Sequence, residues 1–295
     1  MVYIYPVTEF LLGDPFPQSA VLAAAARAAH LLVDARPHVF ADTLAARLLG
    51  PDGETPISYH LAQPDLPFLR AVRVEASARA RFAEDALLAS GVRQHVVVGA
   101  GLDTFAYRQP GAGIHVFEVD RPAAQERKIA ALHRANLDGP VSFVGADLAQ
   151  TPLAEALRAA GADEAEPIFV AALGLAMYLT PDELAALLRS AASWAGGALL
   201  VLDHLVPPVD EMAETYSTGV GGAVAAGGEP WRSRHSASEA AALARAAGFT
   251  DVRTTTQRDA FPALWERADG LEPGSTSGFL QAATASLESR LARRG

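Results

Sequence analysis

The stretch VVVGAGLDTFAYR, from Val96 to Arg108, determines how the rest of the chain is interpreted. Its three valines are typical of a buried β-strand, and Gly-Ala-Gly is typical of a turn whose backbone a ligand approaches closely. The lysine of a Walker A loop is missing, which excludes a P-loop. Thr104 stands where a G-x-G-x-x-G motif has its third glycine. A dinucleotide is therefore disfavoured but not excluded, and S-adenosylmethionine is the alternative.

Composition narrows the class of protein. The chain has 295 residues, 50% of them hydrophobic, and carries 24 Lys+Arg against 34 Asp+Glu, for a formal net charge of −10. Binding to nucleic acid requires clustered cations, so we expect no nucleic-acid partner. Cysteine is absent, which excludes disulfides, thiolate nucleophiles and zinc–thiolate sites. We predict no metal site.

The sequence also predicts where the chain resides. Its first ten residues, MVYIYPVTEF, lack the basic segment and apolar core of a signal peptide. The least interrupted apolar run, 168–179, has 12 residues, whereas a bilayer-spanning helix needs about 20. We therefore expect a cytoplasmic protein without a membrane partner.

The pattern of elements changes at residue 92. Residues 1–91 are mostly alanine-rich and amphipathic helical segments, which predict an N-terminal helical cap. From residue 92, apolar β-branched runs alternate with helical segments, which predicts a parallel sheet covered on both faces. The predicted strands are 95–101, 113–120, 141–147, a strand beginning at 167, 198–205, 249–256 and 278–285.

Two capping boxes and one insertion punctuate the second part of the chain. Thr180 with Glu183, and Ser236 with Glu239, have the spacing of capping boxes and predict helix starts. Residues 206–235 form a Gly- and Pro-punctuated insertion, which we expect to be a lid. Its glycines 219, 221, 222, 227 and 228 are expected to let the lid move.

Acidic residues follow two of the predicted strands. Glu118 and Asp120 follow the glycines of the first turn by 17 to 21 residues, where an acid can accept hydrogen bonds from ribose hydroxyls. Asp147 and Leu148 follow the third strand. An acid at this position favours a site for S-adenosylmethionine over a site for a dinucleotide.

Four motifs occur in the order and at the spacing typical of a known family: VVVGAGLDTFAYR, VFEVDRPAAQERK, FVGADL and LGLAMYLTPDEL. With these motifs the chain resembles the leucine carboxyl methyltransferase-like family of class I S-adenosylmethionine-dependent methyltransferases, in its bacterial natural-product branch. The resemblance covers nearly all of the chain after about residue 20. It implies an α/β, Rossmann-like sheet of seven mostly parallel strands with the last antiparallel. The cap at 1–91 and the domain at 92–295, with its lid at 206–235, would form one structural unit.

The resemblance also implies the residues that bind the cofactor. Arg79, with Arg81 as the alternative, would bind its methionine carboxylate, and Asp103 would support the turn or the ammonium group. Asp120 would hold the ribose. The remaining implied residues are Gly99, Ala100 and Gly101 under the amino-acid part, and Asp147 and Leu148 at the adenine.

One position departs from the family pattern. Many members have a glutamate after the fourth strand, in E-G-x-x-M-Y-L, where this chain has Leu173 before Gly174. The ammonium group would then be satisfied by backbone carbonyls near Gly99 or Gly174, or by Asp103.

Acceptor and catalytic residues are predicted from their places at strand ends. His204 ends the fifth predicted strand, where open α/β sheets bind their ligands, and is the candidate general base. Tyr178 follows the fourth strand and is expected to line the acceptor pocket or assist catalysis. Trp231 and His235, at the end of the insertion, are further candidates for contact with the acceptor.

These expectations combine into one principal function and two alternatives. We predict an O-methyltransferase that acts on a carboxylate or hydroxyl group of a small molecule, with polyketide-like natural-product biosynthesis as the context. The alternatives are an NAD(P)-dependent Rossmann oxidoreductase and a non-catalytic S-adenosylmethionine-binding relative. A protein C terminus is a less favoured acceptor, because no protein-docking surface is evident. The chain is expected to be a monomer or a homodimer.

Overall fold

The β-strands form where the sequence has short apolar, β-branched runs. A computed structural model describes residues 18–267 and 269–291. The strands in this part are β1 Gln94–Val98, β2 His115–Asp120, β3 Val141–Gly145, β4 Ile168–Ala172, β5 Ala198–Leu205, β6 Asp251–Thr256 and β7 Ser277–Ala283. They form one sheet in the order β3-β2-β1-β4-β5-β7-β6.

The strand directions determine which edge of the sheet can hold a site. Strands β3, β2, β1, β4 and β5 pair in parallel, and β7 pairs antiparallel with both β5 and β6. The order reverses between β1 and β4, and ligands of open α/β sheets bind outside the carboxyl ends of strands at such a point. The predicted sheet of seven mostly parallel strands with the last one antiparallel is confirmed.

Helices cover both faces of this sheet. Their bounds are α1 Gln18–Val33, α2 Ala45–Leu49, α3 Glu54–Ala62, α4 Pro67–Ser90, α5 Phe105–Arg108, α6 Pro122–Ala135, α7 Leu153–Ala159, α8 Pro181–Ala192, α9 Glu211–Ala226, α10 Ala237–Ala247, α11 Gln257–Ala260 and α12 Ala285–Leu291. Both predicted capping boxes are present, at the starts of α8 and α10.

Two apolar clusters lie on opposite faces of the sheet. Val96 and Val98 belong to one cluster and Val97 to the other, because successive side chains of a strand point to opposite faces. The cluster that contains Val97 also contains Val21 of α1 and Leu87 of α4. The N-terminal helices therefore complete the core of the sheet on this face.

The segment 206–235 contains more regular structure than its composition suggests. Helix α9 occupies its centre, and Gly219, Gly221 and Gly222 lie within that helix. These three glycines, which we expected to let the lid move, are thus helical, and movement of the segment stays a prediction. Packing explains the helix, because Ala213 and Val224 are buried against the rest of the protein.

Within residues 18–267 and 269–291, every helix is too short or too polar to cross a bilayer.

Candidate active site at the carboxyl edge of the sheet

A cavity of about 240 Å³ lies at the carboxyl ends of β1, β4 and β5. Helices α1, α4 and α9 contribute most of its remaining wall. The cavity is therefore at the edge of the sheet where the strand order reverses, the position at which this architecture binds ligands.

The glycine end of the cavity consists of Arg79, Gly99, Gly101, Leu173 and Gly174. The turn after β4 requires a glycine at residue 174, because its φ is +62° and a Cβ there would lie 2.7 Å from Nη2 of Arg79. The guanidinium of Arg79 therefore packs directly against bare backbone. Leu173 lies beside it and belongs to the apolar surface of this end.

Asp203, which sequence reasoning missed, organises the glycine end. It is 1% exposed on β5. Its Oδ1 accepts a hydrogen bond from the backbone N–H of Gly174 at 2.6 Å, and its Oδ2 lies 3.4 Å from Nη1 of Arg79. One carboxylate thus fixes both the turn and the arginine. A signal was present in the sequence, since a carboxylate inside a fully buried apolar strand is rare.

The two candidate arginines have different environments. Arg79 lines the cavity, and its charge is favoured by neighbouring Asp203 and Glu75, which raise its pKa against the effect of burial. Arg81 does not line the cavity and instead contacts Asp85 at 3.2 Å and the backbone oxygen of Val39. Of the two, Arg79 is the one with access to a ligand in the cavity.

Asp103 and Asp120 both contact the backbone of the first turn. Oδ1 of Asp103 accepts from the N–H of Phe105 at 2.8 Å, and Asp103 also lines the cavity. Oδ2 of Asp120 accepts from the N–H of Gly101 at 2.8 Å. Ala100, between the glycines, also lines the cavity.

Glu118 has a structural contact instead of a position at the cavity. It is fully buried and its Oε2 lies 2.6 Å from Nζ of Lys128. This pair explains why the acid and the lysine can both be buried, since each neutralises the other. Asp120 is therefore the acid of the second strand that remains near the turn.

Asp147 and Leu148 lie beyond the end of β3 and outside the cavity wall. Oδ1 of Asp147 accepts from the backbone N–H of Ala149, and its Oδ2 accepts from Gln150 at 3.1 Å. Leu148 packs against the apolar cluster on its face of the sheet. Both residues lie at the same carboxyl edge of the sheet as the cavity, after β3, which is two strands away from β1.

The aromatic end of the cavity consists of Phe68, Val72, Glu75, Tyr216 and Trp231. Tyr216 of α9 is stacked with Trp231 at 6.5 Å between ring centroids, and it also contacts Phe68 at 6.2 Å. The segment 206–235 thus forms a wall of the cavity.

Tyr178 lies where the two ends of the cavity meet. It lines the wall, and burial raises its pKa while Arg79 acts in the opposite direction. Tyr178 and Trp231 both line the cavity, and their roles toward an acceptor stay predictions.

Glu75 is a second carboxylate that sequence reasoning missed. It is 6% exposed, and its two oxygens accept hydrogen bonds from the hydroxyls of Thr276 and Ser277, each at 2.5 Å. Burial raises the pKa of the Glu75 carboxyl, while the two hydroxyls counteract that rise. The sequence VRVEASAR gave a signal, because Glu75 falls on the buried face of α4.

His204 and His235 are not on the cavity wall, which corrects both predictions. His204 is 1% exposed, and its Nδ1 donates to the backbone oxygen of His235 at 2.9 Å. Its ring packs against Gly278, where a Cβ would lie 3.1 Å away. Asp203 and His204 are neighbours on a strand, so only one of them can face the cavity.

His95 of β1 also lines the cavity. Its ring is 4% exposed and lies edge-on to Phe105 and Phe169, at 4.9 and 5.5 Å between centroids. Burial lowers the pKa of His95 to about 4, so the imidazole is neutral near pH 7.

A sequence model of the leucine carboxyl methyltransferase family matches residues 20–192, more than half of the chain. The chain is 37% identical to a candidate S-adenosyl-L-methionine-dependent methyltransferase of Bacillus subtilis over 135 residues, 43% of this chain and 44% of that protein. It is 36% identical to one from Parafrankia over 182 residues, 53% of this chain and 57% of that protein. The chain thus spans about half the length of the curated relatives it matches.

Solved structures share the fold at low sequence identity. A candidate methyltransferase from Thermobifida fusca matches with a TM-score of 0.56 and 15% identity, covering 97% of this chain and 100% of that chain. A DUF574 family protein from Streptomyces avermitilis matches with a TM-score of 0.54 and 16% identity, covering 88% and 96%.

Proposed function

Because the chain belongs to the leucine carboxyl methyltransferase family, we propose that it transfers a methyl group from S-adenosylmethionine to an oxygen atom of a small molecule. The observation that carries this proposal is a single cavity with two chemically different ends. The glycine end offers bare backbone and an arginine, whereas the aromatic end offers a large apolar surface. Such an arrangement suits one charged ligand beside one mostly apolar ligand.

The order of polar groups along the sheet edge supports this cofactor. Strands β4, β1, β2 and β3 are successive neighbours, about 4.8 Å apart. Arg79 and Gly174 lie at the end of β4, Asp120 at the end of β2 and Asp147 beyond β3. An extended ligand along this edge, about 14 Å long, would meet an arginine, then a ribose-binding acid, then a second acid.

Each residue of this row suits one part of the cofactor. Arg79 would bind the methionine carboxylate, because guanidinium groups match carboxylates in charge and geometry. Asp120 would accept from the ribose hydroxyls, and Asp147 with the backbone of Leu148 would bind adenine. The turn formed by Gly99, Ala100 and Gly101 would pass beneath the amino-acid part.

The replacement of the family's usual glutamate by Leu173 leaves the ammonium group to other residues. Asp103 lines the cavity and is the predicted partner. Asp203 would contribute indirectly, because it holds Gly174 and Arg79 in place. We therefore regard Leu173 as compatible with cofactor binding.

Bound S-adenosylmethionine supplies an electrophilic methyl group on a cationic sulfur. The chain contributes alignment, since Tyr178 and the glycine end fix the groups on either side of the reacting atoms. Helix α9 and Trp231 would exclude water from the aromatic end, which strengthens electrostatic contacts inside the cavity. The biosynthesis of polyketide-like natural products is the context in which we place this reaction.

A transfer assay tests the proposed function. The protein would be incubated with S-adenosylmethionine and pools of hydroxyl- and carboxyl-bearing small molecules. We expect S-adenosylhomocysteine to accumulate together with an acceptor that gains one methyl group on oxygen, as detected by mass spectrometry. Methylation that appears only on protein C termini, or only on nitrogen or carbon, would contradict the proposal.

A further inference from the structure

We infer that Glu75 selects a neutral aromatic hydroxyl compound as the methyl acceptor and excludes carboxylates. This inference rests on the proposed function and specifies the acceptor of the same site.

The hydrogen-bond network around Glu75 fixes one of its oxygens, Oε2, as an acceptor. The backbone N–H of Gly274 donates to Oε1 of Gln257, so the amide of Gln257 must present its N–H groups on the other side. Nε2 of Gln257 donates to Oγ of Ser277 at 3.0 Å. The hydroxyl of Ser277 then donates to Oε2 of Glu75. A ligand that meets this oxygen must therefore offer a donor, which a hydroxyl group has and a carboxylate lacks.

In the part of the cavity wall that the structure describes, every arginine is already paired with an acid. An anionic acceptor would therefore find no unpaired arginine there. The three arginines of the wall form pairs, which are Arg27 with Asp42, Arg108 with Glu84, and Arg79 with Asp203. His60 and His95 also line it, and burial lowers the pKa of each to about 4, so both are neutral. A carboxylate at the aromatic end would thus be repelled by Glu75, and Arg79, the cation beside that acid, is already paired with Asp203.

A protonated amine is a poor methyl acceptor for a chemical reason. Its nitrogen has no free electron pair with which to attack the methyl carbon, and it would lie beside the cationic sulfur of S-adenosylmethionine. A neutral hydroxyl group has neither this limitation nor the negative charge that Glu75 repels.

The walls indicate a planar apolar body for this acceptor. Phe68, Tyr216 and Trp231 form successive ring contacts along the aromatic end. Aromatic ligands stack favourably on such rings, beyond the area that they bury. A hydroxyl on an aromatic ring combines this surface with the donor that Glu75 requires.

The reaction balances with S-adenosylmethionine as the methyl donor and Glu75 as the proton acceptor. The acceptor oxygen forms a bond to the methyl carbon as the carbon–sulfur bond breaks, and the electron pair of that bond stays on sulfur. The hydroxyl proton passes to the carboxylate of Glu75, whose raised pKa makes it a stronger base than an exposed glutamate.

Binding of matched probes to the protein saturated with S-adenosylhomocysteine tests the inference. The probes are phenol with benzoate, and 2-naphthol with 2-naphthoate, each titrated by calorimetry at pH 7.5. We expect at least one hydroxyl probe to bind, and at least tenfold more tightly than its carboxylate partner. A carboxylate probe that binds as tightly as its hydroxyl partner, or no hydroxyl probe binding at millimolar concentration, would overturn the inference.

Two variants connect the selectivity with the residue. Glu75→Gln should narrow the ratio of hydroxyl-probe to carboxylate-probe affinity at least fivefold in protein that still binds S-adenosylhomocysteine. Glu126→Gln, an exposed acid on α6, is the matched control and should keep the wild-type ratio. An unchanged ratio in folded Glu75→Gln contradicts the assignment to Glu75. If that variant does not fold, the relative affinity of the wild-type protein for hydroxyl and carboxylate probes still tests the predicted class of acceptor.

The same titration separates this inference from the proposed function. Failure of the wild-type protein to bind S-adenosylhomocysteine would contradict the proposed function itself. Binding of S-adenosylhomocysteine followed by a preference for carboxylates would contradict only the acceptor class.

Discussion

At the scale of single residues, Asp203 is central to the geometry of the site, although no sequence motif identifies it. It joins the turn after β4 to the arginine that faces the cavity, through one hydrogen bond to backbone and one ion pair. Because Asp203 is buried, its removal would leave the Arg79 guanidinium without its nearest counter-charge. The glycine end depends on this carboxylate for its shape.

The first prediction concerns this carboxylate. Asp203→Ala should weaken binding of S-adenosylhomocysteine about tenfold to a hundredfold, since a hydrogen bond to a charged group contributes about 1.5–3 kcal/mol. Calorimetric titration measures this change. Asp251→Ala, which removes an exposed ion pair with Arg253 on β6, is the control and should leave the affinity unchanged. Equal affinities for both variants would show that Asp203 does not organise the site.

The second prediction concerns pH. Burial holds the pKa of His95 at about 4, whereas a histidine in the unfolded chain titrates near 6.5. Between these values the unfolded state binds more protons than the folded state, so the free energy of unfolding falls as the pH drops. His95→Phe should reduce this loss between pH 6.5 and 4 by on the order of 3 kcal/mol. Denaturant titrations at several pH values measure it.

A control accompanies the pH prediction. His133→Phe changes an exposed histidine on α6 and should reproduce the wild-type pH dependence. If His95→Phe and His133→Phe lose stability equally on acidification, His95 is not held neutral in the folded protein.

Sequence reasoning reached some of these residues and missed others for a physical reason. The glycines and Asp120 could be predicted because the turn after a strand and the acid of the next strand have fixed spacing. Asp203 and His204 are neighbours on a strand that is buried on both faces. The sequence does not reveal which of them faces the cavity, and His204 was the wrong choice.

At the scale of elements, the turn after β4 is the most constrained part of the site. Gly174→Ala introduces a Cβ at 2.7 Å from the Arg79 guanidinium in a backbone conformation with φ of +62°. We expect the affinity for S-adenosylhomocysteine to fall at least tenfold, because the turn and Arg79 cannot both keep their positions. Gly91→Ala is the matched control, since φ is +67° there but nothing lies within 4 Å.

The control separates backbone strain from the contact with Arg79. Both variants should lose about 1 kcal/mol of stability from the left-handed conformation alone. Only Gly174→Ala should also lose cofactor affinity. A comparable loss of affinity in Gly91→Ala would mean that general destabilisation, and not the turn, is responsible.

Helix α9 provides a second matched pair of glycines. Gly222→Ala meets no atom within 4 Å and should raise the melting temperature by a few degrees, since alanine is about 1 kcal/mol more favourable than glycine in a helix. Gly221→Ala places a Cβ 3.0 Å from Cε3 of Trp231 and should gain less. Thermal melts compare the two variants. An equal gain in both would indicate that α9 does not pack tightly on Trp231.

Local sequence could not predict α9, because three of its residues are glycines with low helix propensity. Tertiary contacts override that propensity, since Ala213 and Val224 are buried and Tyr216 faces the cavity. By contrast, α8 and α10 were predicted because their capping boxes are local signals.

At the scale of the whole molecule, the alternation of strand and helix segments in the sequence predicts the sheet. The strand order of that sheet then determines where the site lies. Apolar β-branched runs separated by helical segments predict a parallel sheet, and the glycine turn after the first strand predicts the binding edge. The packing of α1, α4 and α9 around the cavity could not be predicted, because it depends on contacts between distant segments. The acceptor class belongs to this unpredicted part, since Glu75 and Ser277 are 202 positions apart.

The central claim is that the cavity edge binds S-adenosylmethionine through its glycine turn and the row from Arg79 to Asp147. Its most direct test is a calorimetric titration of the wild-type protein with S-adenosylhomocysteine, with NADH as the comparison ligand. The account predicts saturable one-to-one binding of S-adenosylhomocysteine and no heat of binding with NADH. Binding of NADH without binding of S-adenosylhomocysteine would contradict it.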